Sequence, residues 1–409
     1  MGTTTRVTRT VSMRTTRPGG ASPAADIADA HGWRAARWLG APAPGGLALP
    51  SATPAADTLY APRGVWLDEH RLIAADTGNH RLLLWRGVPG SDHQPADVLL
   101  GQSEWTSDGA NDDGRGSERG LHLPTGVLVH DGALIVCDAW NHRVLVYSEV
   151  PMATRPADLV LGQRDLSAVE PNRGGTPNGA SFYWPFGAGI VDGGFWVADT
   201  GNRRVLGWLD GVPTSPDRPA DVVLGQPDPQ GREENRGGPA DACSFRWPHA
   251  ITGVDGYLLV ADAGNHRVLG WRTPVVADRP ADLVLGQPDF TGAGEFPYAP
   301  QTAAGLRFPY GVTAVDGQLA VADTANNRLL LWERPDWLAS ALDGVIGGAD
   351  GVLAQPTMAA NGENRWDAVA PDTLCWPYGL HRHGNTIAVA DSGNNRIMLW
   401  DRPSPETTS

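Results

Sequence analysis

The stretch Ala261-Asp262-Ala263-Gly264-Asn265-His266-Arg267-Val268-Leu269-Gly270-Trp271 decides how the 409-residue chain is to be read. Close copies begin at Asp76, Asp138, Asp199, Asp323 and Asp391, making six with this one. Every copy keeps the Asp, an Asn three residues on and an Arg five residues on. A proline stands 14 residues ahead of each Asp: Pro62, Pro124, Pro185, Pro248, Pro309 and Pro377. Fixed internal spacing at a period of tens of residues marks one supersecondary unit copied along the chain. The copies run without a break from about residue 60 to residue 400, so a single repeat-built domain over 31–403 is expected. It is flanked by a disordered, weakly basic tail over 1–30 and a short tail over 404–409.

The fourth copy shows the unit. Pro248 to Val254 predicts a strand opened by proline, which is tolerated at a strand's first position. Asp255-Gly256 is a hairpin turn signal. Tyr257 to Ala261 is an apolar strand covered on both faces, Asp262 to His266 a tight polar turn, and Arg267 to Trp271 a third strand. Arg279 to Gln287 supplies a fourth, recurring at Ala96–Gln102, Ala157–Gln163 and Ala220–Gln226 and more loosely at Asp343–Gly348. Four short strands per unit is the pattern of a β-propeller blade. Loops of 21 residues follow at 103–123, 164–184, 227–247 and 288–308; a longer one is expected at 349–376.

The sixth copy ends its third strand at Trp400 with nine residues to follow, too few for a fourth strand. Ala35 to Gly40 carries the fourth-strand pattern about 20 residues ahead of Pro62. The expectation is an all-β, six-bladed propeller whose N-terminal strand completes the last blade and removes two open sheet edges.

Pro-x-Gly-Val, an apolar strand and Val-Ala-Asp-x-Gly-Asn-x-Arg together resemble the NHL repeat, over roughly residues 35–400. The added Leu-Gly-Gln-Pro-Asp strand looks like a bacterial variant with extended blades. The resemblance implies a propeller and no particular activity, since such propellers include binding platforms, sensor modules and a lyase. A fainter likeness to NHL proteins encoded beside bacterial metalloenzymes points to an accessory role.

Composition bounds the partners. Sixteen Trp, 51 Gly and 34 Pro accompany no lysine, and 32 Arg against 46 acidic residues leave a net charge of −14. Such a surface repels phosphate backbones and anionic lipid, so neither nucleic acid nor membrane is expected as a partner. Cys137, Cys243 and Cys375 are odd in number and form no CxxC pattern, and are read as reduced thiols. Residues 1–30 lack the apolar run of a secretory signal, so the chain is placed in the cytoplasm, as a monomer.

Six Asp/Arg pairs (Asp76/Arg81, Asp138/Arg143, Asp199/Arg204, Asp262/Arg267, Asp323/Arg328 and Asp391/Arg396) invite a catalytic reading. Catalysis needs one asymmetric constellation, whereas a group present in every unit does one job six times. They are read as structural, the carboxylate taking backbone N–H groups and a forked pair with the Arg. The residue four after each Asp (His80, His142, Arg203, His266, Asn327, Asn395) is read as a solvent-exposed turn residue. The residue after each proline is more varied: Arg63, Thr125, Phe186, His249, Tyr310 and Tyr378. These should line the central channel, where convergent aromatic and polar groups make a candidate ligand site. Trp85, Tyr147, Trp208, Trp271, Trp332 and Trp400, which close the third strands, are read as inter-blade packing.

No nucleophile elbow is present, and a phosphate loop ending in lysine is impossible. The leading reading is a non-enzymatic scaffold, without catalytic residues, metal or cofactor, whose long-loop face docks a protein partner. The alternative is a metal-assisted lyase or hydrolase acting at the channel with zinc or calcium, for which His249, His381 and His383 are the nearest ligands.

Overall fold

The structure, a computed structural model, describes residues 32–40, 53–295, 300–334 and 336–403. The expected tails at 1–30 and 404–409 lie outside the described residues. Six four-stranded antiparallel sheets form a ring of six blades. In the fourth blade the strands are Pro248–Val254, Tyr257–Asp262, Arg267–Arg272 and Leu283–Leu285. The outermost strand holds only three residues, shorter than the apolar run that signals it.

Each blade begins at the channel. The first strands are Gly64–Leu67, Pro124–His130, Pro185–Val191, Pro248–Val254, Pro309–Val315 and Pro377–His383, and each touches the next around the ring. In five of the six, the glycine two after the proline allows this closeness. A Cβ on Gly126 would stand 2.7 Å from the Phe186 carbonyl oxygen, and one on Gly187 would stand 2.2 Å from that of His249. A Cβ on Gly379 would meet the Arg63 carbonyl oxygen at 2.4 Å, so the sixth blade packs on the first as the others pack on each other. At the far end of the strands, Asp131-Gly132, Asp192-Gly193, Asp255-Gly256 and Asp316-Gly317 hold positive φ at both residues, the type I′ turn that Asp-Gly favours.

The described residues share no single central core. Six apolar clusters each mix residues from two neighbouring blades, as where Trp196 and Val205 meet Leu258 and Leu269. The aromatics that end the third strands, Trp85 through Trp400, sit in these clusters almost fully buried. The indole N–H of Trp85, Trp208, Trp271 and Trp332 donates to a carbonyl in the connection to the fourth strand.

The ring closes as expected. Arg34–Gly40 pairs antiparallel with Arg396–Asp401, placing Trp38 opposite Met398 and Leu39 opposite Ile397. Both ends of the closing strand reach beyond its own blade. The Trp33 indole donates to Glu333 of the fifth blade at 3.0 Å and is flanked by the guanidinium groups of Arg382 and Arg402. The Trp38 indole donates to His93 of the first blade at 3.1 Å, and the His93 amide returns a bond to the Trp38 carbonyl.

One expectation is corrected. Asp343–Gly348 is not the fourth strand of the fifth blade; that strand is Gly351–Leu353. Residues 344–346 instead dock on Val284 in the fourth strand of the preceding blade. Gln355 then fills the place of Gln287, donating to the Asn327 and Gly362 carbonyls as Gln287 does to those of His266 and Gly294. The fifth long loop is therefore 356–376, 21 residues like the others, and the insertion lies between the third and fourth strands.

Close approach of first strands yields a direct test. Gly187→Ala forces a methyl group into the His249 carbonyl and should destabilise by about 1–3 kcal/mol, the range typical of overpacking. Thermal unfolding measures it, and an unchanged melting temperature would show that the strands are not so tightly apposed.

Candidate functional site

The face carrying the long loops also carries the Asp turns and the channel mouth, because all three join at the start of the first strands. Each turn Asp lies at the end of a second strand and is fully buried with its Arg. In the fourth blade Asp262 Oδ2 accepts Asn265 Nδ2 at 2.7 Å and Arg267 Nε at 3.0 Å, while Oδ1 accepts the Arg246 amide at 2.9 Å. The pairing uses Nε alone rather than a two-bond fork. The freed Arg267 nitrogens reach outward, Nη1 to the Phe290 carbonyl and Nη2 to those of Asp241 and Ser244. One guanidinium thus ties its own turn to the loop before the blade and the loop after it. Arg81, Arg143, Arg204 and Arg328 make the same set of contacts on Asp76, Asp138, Asp199 and Asp323. Arg396 repeats the bonds to Asp391 and to the Ala370 and Thr373 carbonyls. Burial pushes the carboxyls of Asp76, Asp199, Asp323 and Asp391 up from the ordinary aspartate value, against the pull of the guanidinium and the N–H donors.

The residue four after the Asp is not the exposed turn residue the sequence predicts. His142, His266, Asn327 and Asn395 are buried, in left-handed backbone conformation, and each reaches the next blade. His80 Nδ1 accepts the Leu123 amide, His142 Nδ1 that of Trp184 and His266 Nδ1 that of Phe308. Asn327 Oδ1 accepts the Trp376 amide, and Asn395 Oδ1 accepts Ala61 across the closure. Burial holds His80 and His142 down to about 4 and lowers His266, keeping the rings neutral and able to accept. Arg203 offers no acceptor, and Trp247, which would donate to it, bonds Asp262 instead. Trp247 is also the one residue of the six before the prolines that avoids positive φ.

The loops carry a further shared link. Asn172 and Asn235, each opening an Asn-Arg-Gly-Gly run, lie in left-handed conformation and exchange amide bonds with Asn202 and Asn265 of the following turn. Asn364 does the same with Asn394. In the loop 103–123, Asn111 accepts from Asn141, and the neighbouring Asp112 is fully buried, holding Ser103 and facing Arg115 and Arg119.

All six residues that follow the prolines line one cavity of about 530 Å³ in the channel. Five of them form an unbroken arc. Phe186 meets His249 at 4.6 Å between ring centres, His249 meets Tyr310 at 4.4 Å, and Tyr310 stacks on Tyr378 at 4.5 Å and 9°. The Arg63 guanidinium lies 4.8 Å over the Tyr378 ring. Thr125 completes the circle by donating its hydroxyl to the Phe186 carbonyl at 2.8 Å. His249 Nδ1 bonds the Trp247 carbonyl, which leaves Nε2 as the free ring acceptor. Burial pushes His249 down to about 3 and raises the Tyr310 hydroxyl. The aromatics that precede the prolines stack around the mouth, with Trp140, which spacing did not single out, on Trp184 at 5.0 Å and Trp247 on Phe308 at 6.1 Å.

The candidate metal histidines are not brought together. His381 Nδ1 accepts the Leu67 amide while its ring lies 3.9 Å from that of Trp66, and burial lowers it to about 4. His383 stands exposed at the strand's end, away from the arc that holds His249. Among the described residues no three His, Cys, Asp or Glu side chains group as a metal site would require. Nor does any helix among them have the length and apolarity to cross a membrane.

Fold and site together define a six-bladed β-propeller with an aromatic channel mouth. No known protein family and no curated protein matches the sequence. Among solved structures, the chain is similar to hydrazine synthase of Kuenenia stuttgartiensis at 12% identity, covering 88% of this chain and 98% of that one, with a TM-score of 0.49. It is similar to the WD40 β-propeller domain of Doa1 at 9% identity, with 90% and 98% covered and a TM-score of 0.44. A third is virginiamycin B lyase from Staphylococcus aureus, at 11% identity, 83% and 94% covered, and a TM-score of 0.40. No residue role is carried from any of them to this chain.

Two outcomes are expected of the turns. Arg267→Ala or Asp262→Asn should lower the melting temperature steeply, since breaking a buried pair costs about 3–5 kcal/mol; an unaltered melting point would refute the structural role. The inter-blade histidines have folded values below the unfolded value of about 6.5. Their contribution is therefore present above pH 6.5 and lost as pH falls toward about 4. Replacing His80, His142 and His266 with Asn, the residue blades five and six already use, should flatten the fall in melting temperature between those pH values. Parallel curves for the two proteins would contradict it.

Proposed function

We propose that this propeller is a non-enzymatic scaffold of NHL type, and that its long-loop face docks a protein partner. What supports the reading is the distribution of exposed apolar side chains. The large aromatics open to solvent, Trp366 at 78%, Tyr60 at 47% and Trp376 at 39%, all belong to segments that lead into first strands. Exposed Val88, Met152, Leu209, Val276 and Leu342 are aliphatic and scattered over the connections between third and fourth strands. Aromatic anchors on a rigid frame are the usual centres of binding energy in protein interfaces. The six Asp/Arg pairs are engaged in holding turns and loops, which supports a structural part for them. A cytoplasmic role as accessory to a bacterial metalloenzyme is the particular setting we favour.

A metal-assisted lyase or hydrolase at the channel is the competing reading. Cross-linking of the tagged protein in extracts of its host, followed by mapping of the linked residues, separates the two. The scaffold reading expects one recurrent partner linked through the loops 103–123 to 356–376, and its loss on replacing Trp366 and Trp376 with Ser at unchanged melting temperature. Links confined to the opposite face, or stoichiometric metal accompanied by turnover, would reverse the ranking.

A further inference from the structure

The arginines of this protein are, as a rule, engaged. The six repeat guanidiniums are buried against a carboxylate and, in five of them, the loops on both sides of the blade, and Arg173, Arg236 and Arg365 each face an aspartate. Arg63 is different. It lines the channel cavity with no carboxylate partner among the described residues, and its guanidinium lies over the face of Tyr378. The carboxylates that border the cavity, Asp192 and Asp255, sit on the exposed hairpin turns at the opposite end. The channel is therefore polarised, with one uncompensated cation among aromatic rings at the loop end and an acidic rim at the hairpin end.

We propose that the channel mouth binds a small organic acid, a carboxylate carried on a flat unsaturated ring. The carboxylate would take the guanidinium edge of Arg63, since a planar fork of N–H donors matches a planar pair of oxygens. The ring would lie across the edges of Tyr378 and Tyr310, whose faces are stacked on each other at 4.5 Å and 9°. His249 Nε2, held as an acceptor by the bond from Nδ1 to the Trp247 carbonyl, is placed to receive a hydroxyl or N–H on the ring's far edge. The cavity of about 530 Å³ has room for such a molecule. The acidic rim would repel it from the other mouth, so entry is from the loop face. This site is independent of partner docking on the outer loops: it depends on the six residues after the prolines and on none of the exposed tryptophans.

Isothermal titration of the full-length protein with benzoate, naphthoate, their neutral amides and inorganic phosphate tests the assignment. Naphthoate should bind about tenfold or more tighter than its amide, the difference that a charge-assisted pair contributes. Arg63→Gln should bring the acid down to the level of the amide, and Tyr310→Leu should weaken both. Phosphate should bind more weakly than naphthoate. The acid-against-amide comparison uses the unaltered protein, so it stands even if a variant misfolds. Equal binding of acid and amide, absence of binding by every acid, an unchanged affinity in Arg63→Gln, or phosphate binding as tightly as naphthoate would each overturn the proposal.

Discussion

A fully buried guanidinium is costly unless its nitrogens are hydrogen-bonded, and the geometry of this ring follows from meeting that demand blade after blade. Arg143 shows how. Its Nε takes Asp138, its Nη1 the Leu166 carbonyl in the loop after the blade, and its Nη2 the Ser117 and Gly120 carbonyls in the loop before it. Those loops have no regular sheet to satisfy their backbone, so the arginine supplies the donors they lack. Equal loop lengths are then a consequence: a loop of another length would not bring its carbonyls to the same guanidinium.

The second constraint acts between blades. Each blade buries its apolar faces only against its two neighbours, so the interfaces must be held in register by something directional. His or Asn at the end of the Asp turn does this by accepting the amide of the residue before the next proline. Asn395 and Ala61 do it across the closure, where the borrowed strand Arg34–Gly40 also reaches Glu333 on one side and His93 on the other. The fourth blade breaks the pattern on entry. Arg203 withdraws the acceptor, Trp247 leaves the left-handed region, and Ala250 replaces the glycine after His249. His249, which joins Phe186 to Tyr310 in the mouth arc, stands between the last two of these. The departure from repetition and the candidate site coincide.

Much of this was legible from spacing. Six units, their proline-led first strands and the borrowed closing strand could be read from the sequence, because period and apolar runs report backbone geometry directly. The convergence of Arg63, Thr125, Phe186, His249, Tyr310 and Tyr378 was legible as well, since their position fixes which end of which strand they occupy. Three features were not. The fourth strand of the fifth blade was hidden because Ala354 replaces the glycine of the Leu-Gly-Gln signature, although Gln355-Pro356 could have marked it. The burial of His142 and His266 was missed because a polar residue in a tight turn ordinarily faces water, and the amide it serves belongs to another blade. The stacking of Trp140 on Trp184 depends on side-chain direction across two blades, which spacing along one does not report.

The central claim is that one guanidinium holds the loops on both sides of its blade. Hydrogen exchange resolved along the chain, comparing the protein with its Arg143→Met variant, tests this most directly. The account predicts that protection falls together in the turn at Asp138, in the preceding loop around Ser117–Gly120 and in the following loop around Leu166, while the other blades keep theirs. Loss confined to the turn, with both loops as protected as before, would contradict it.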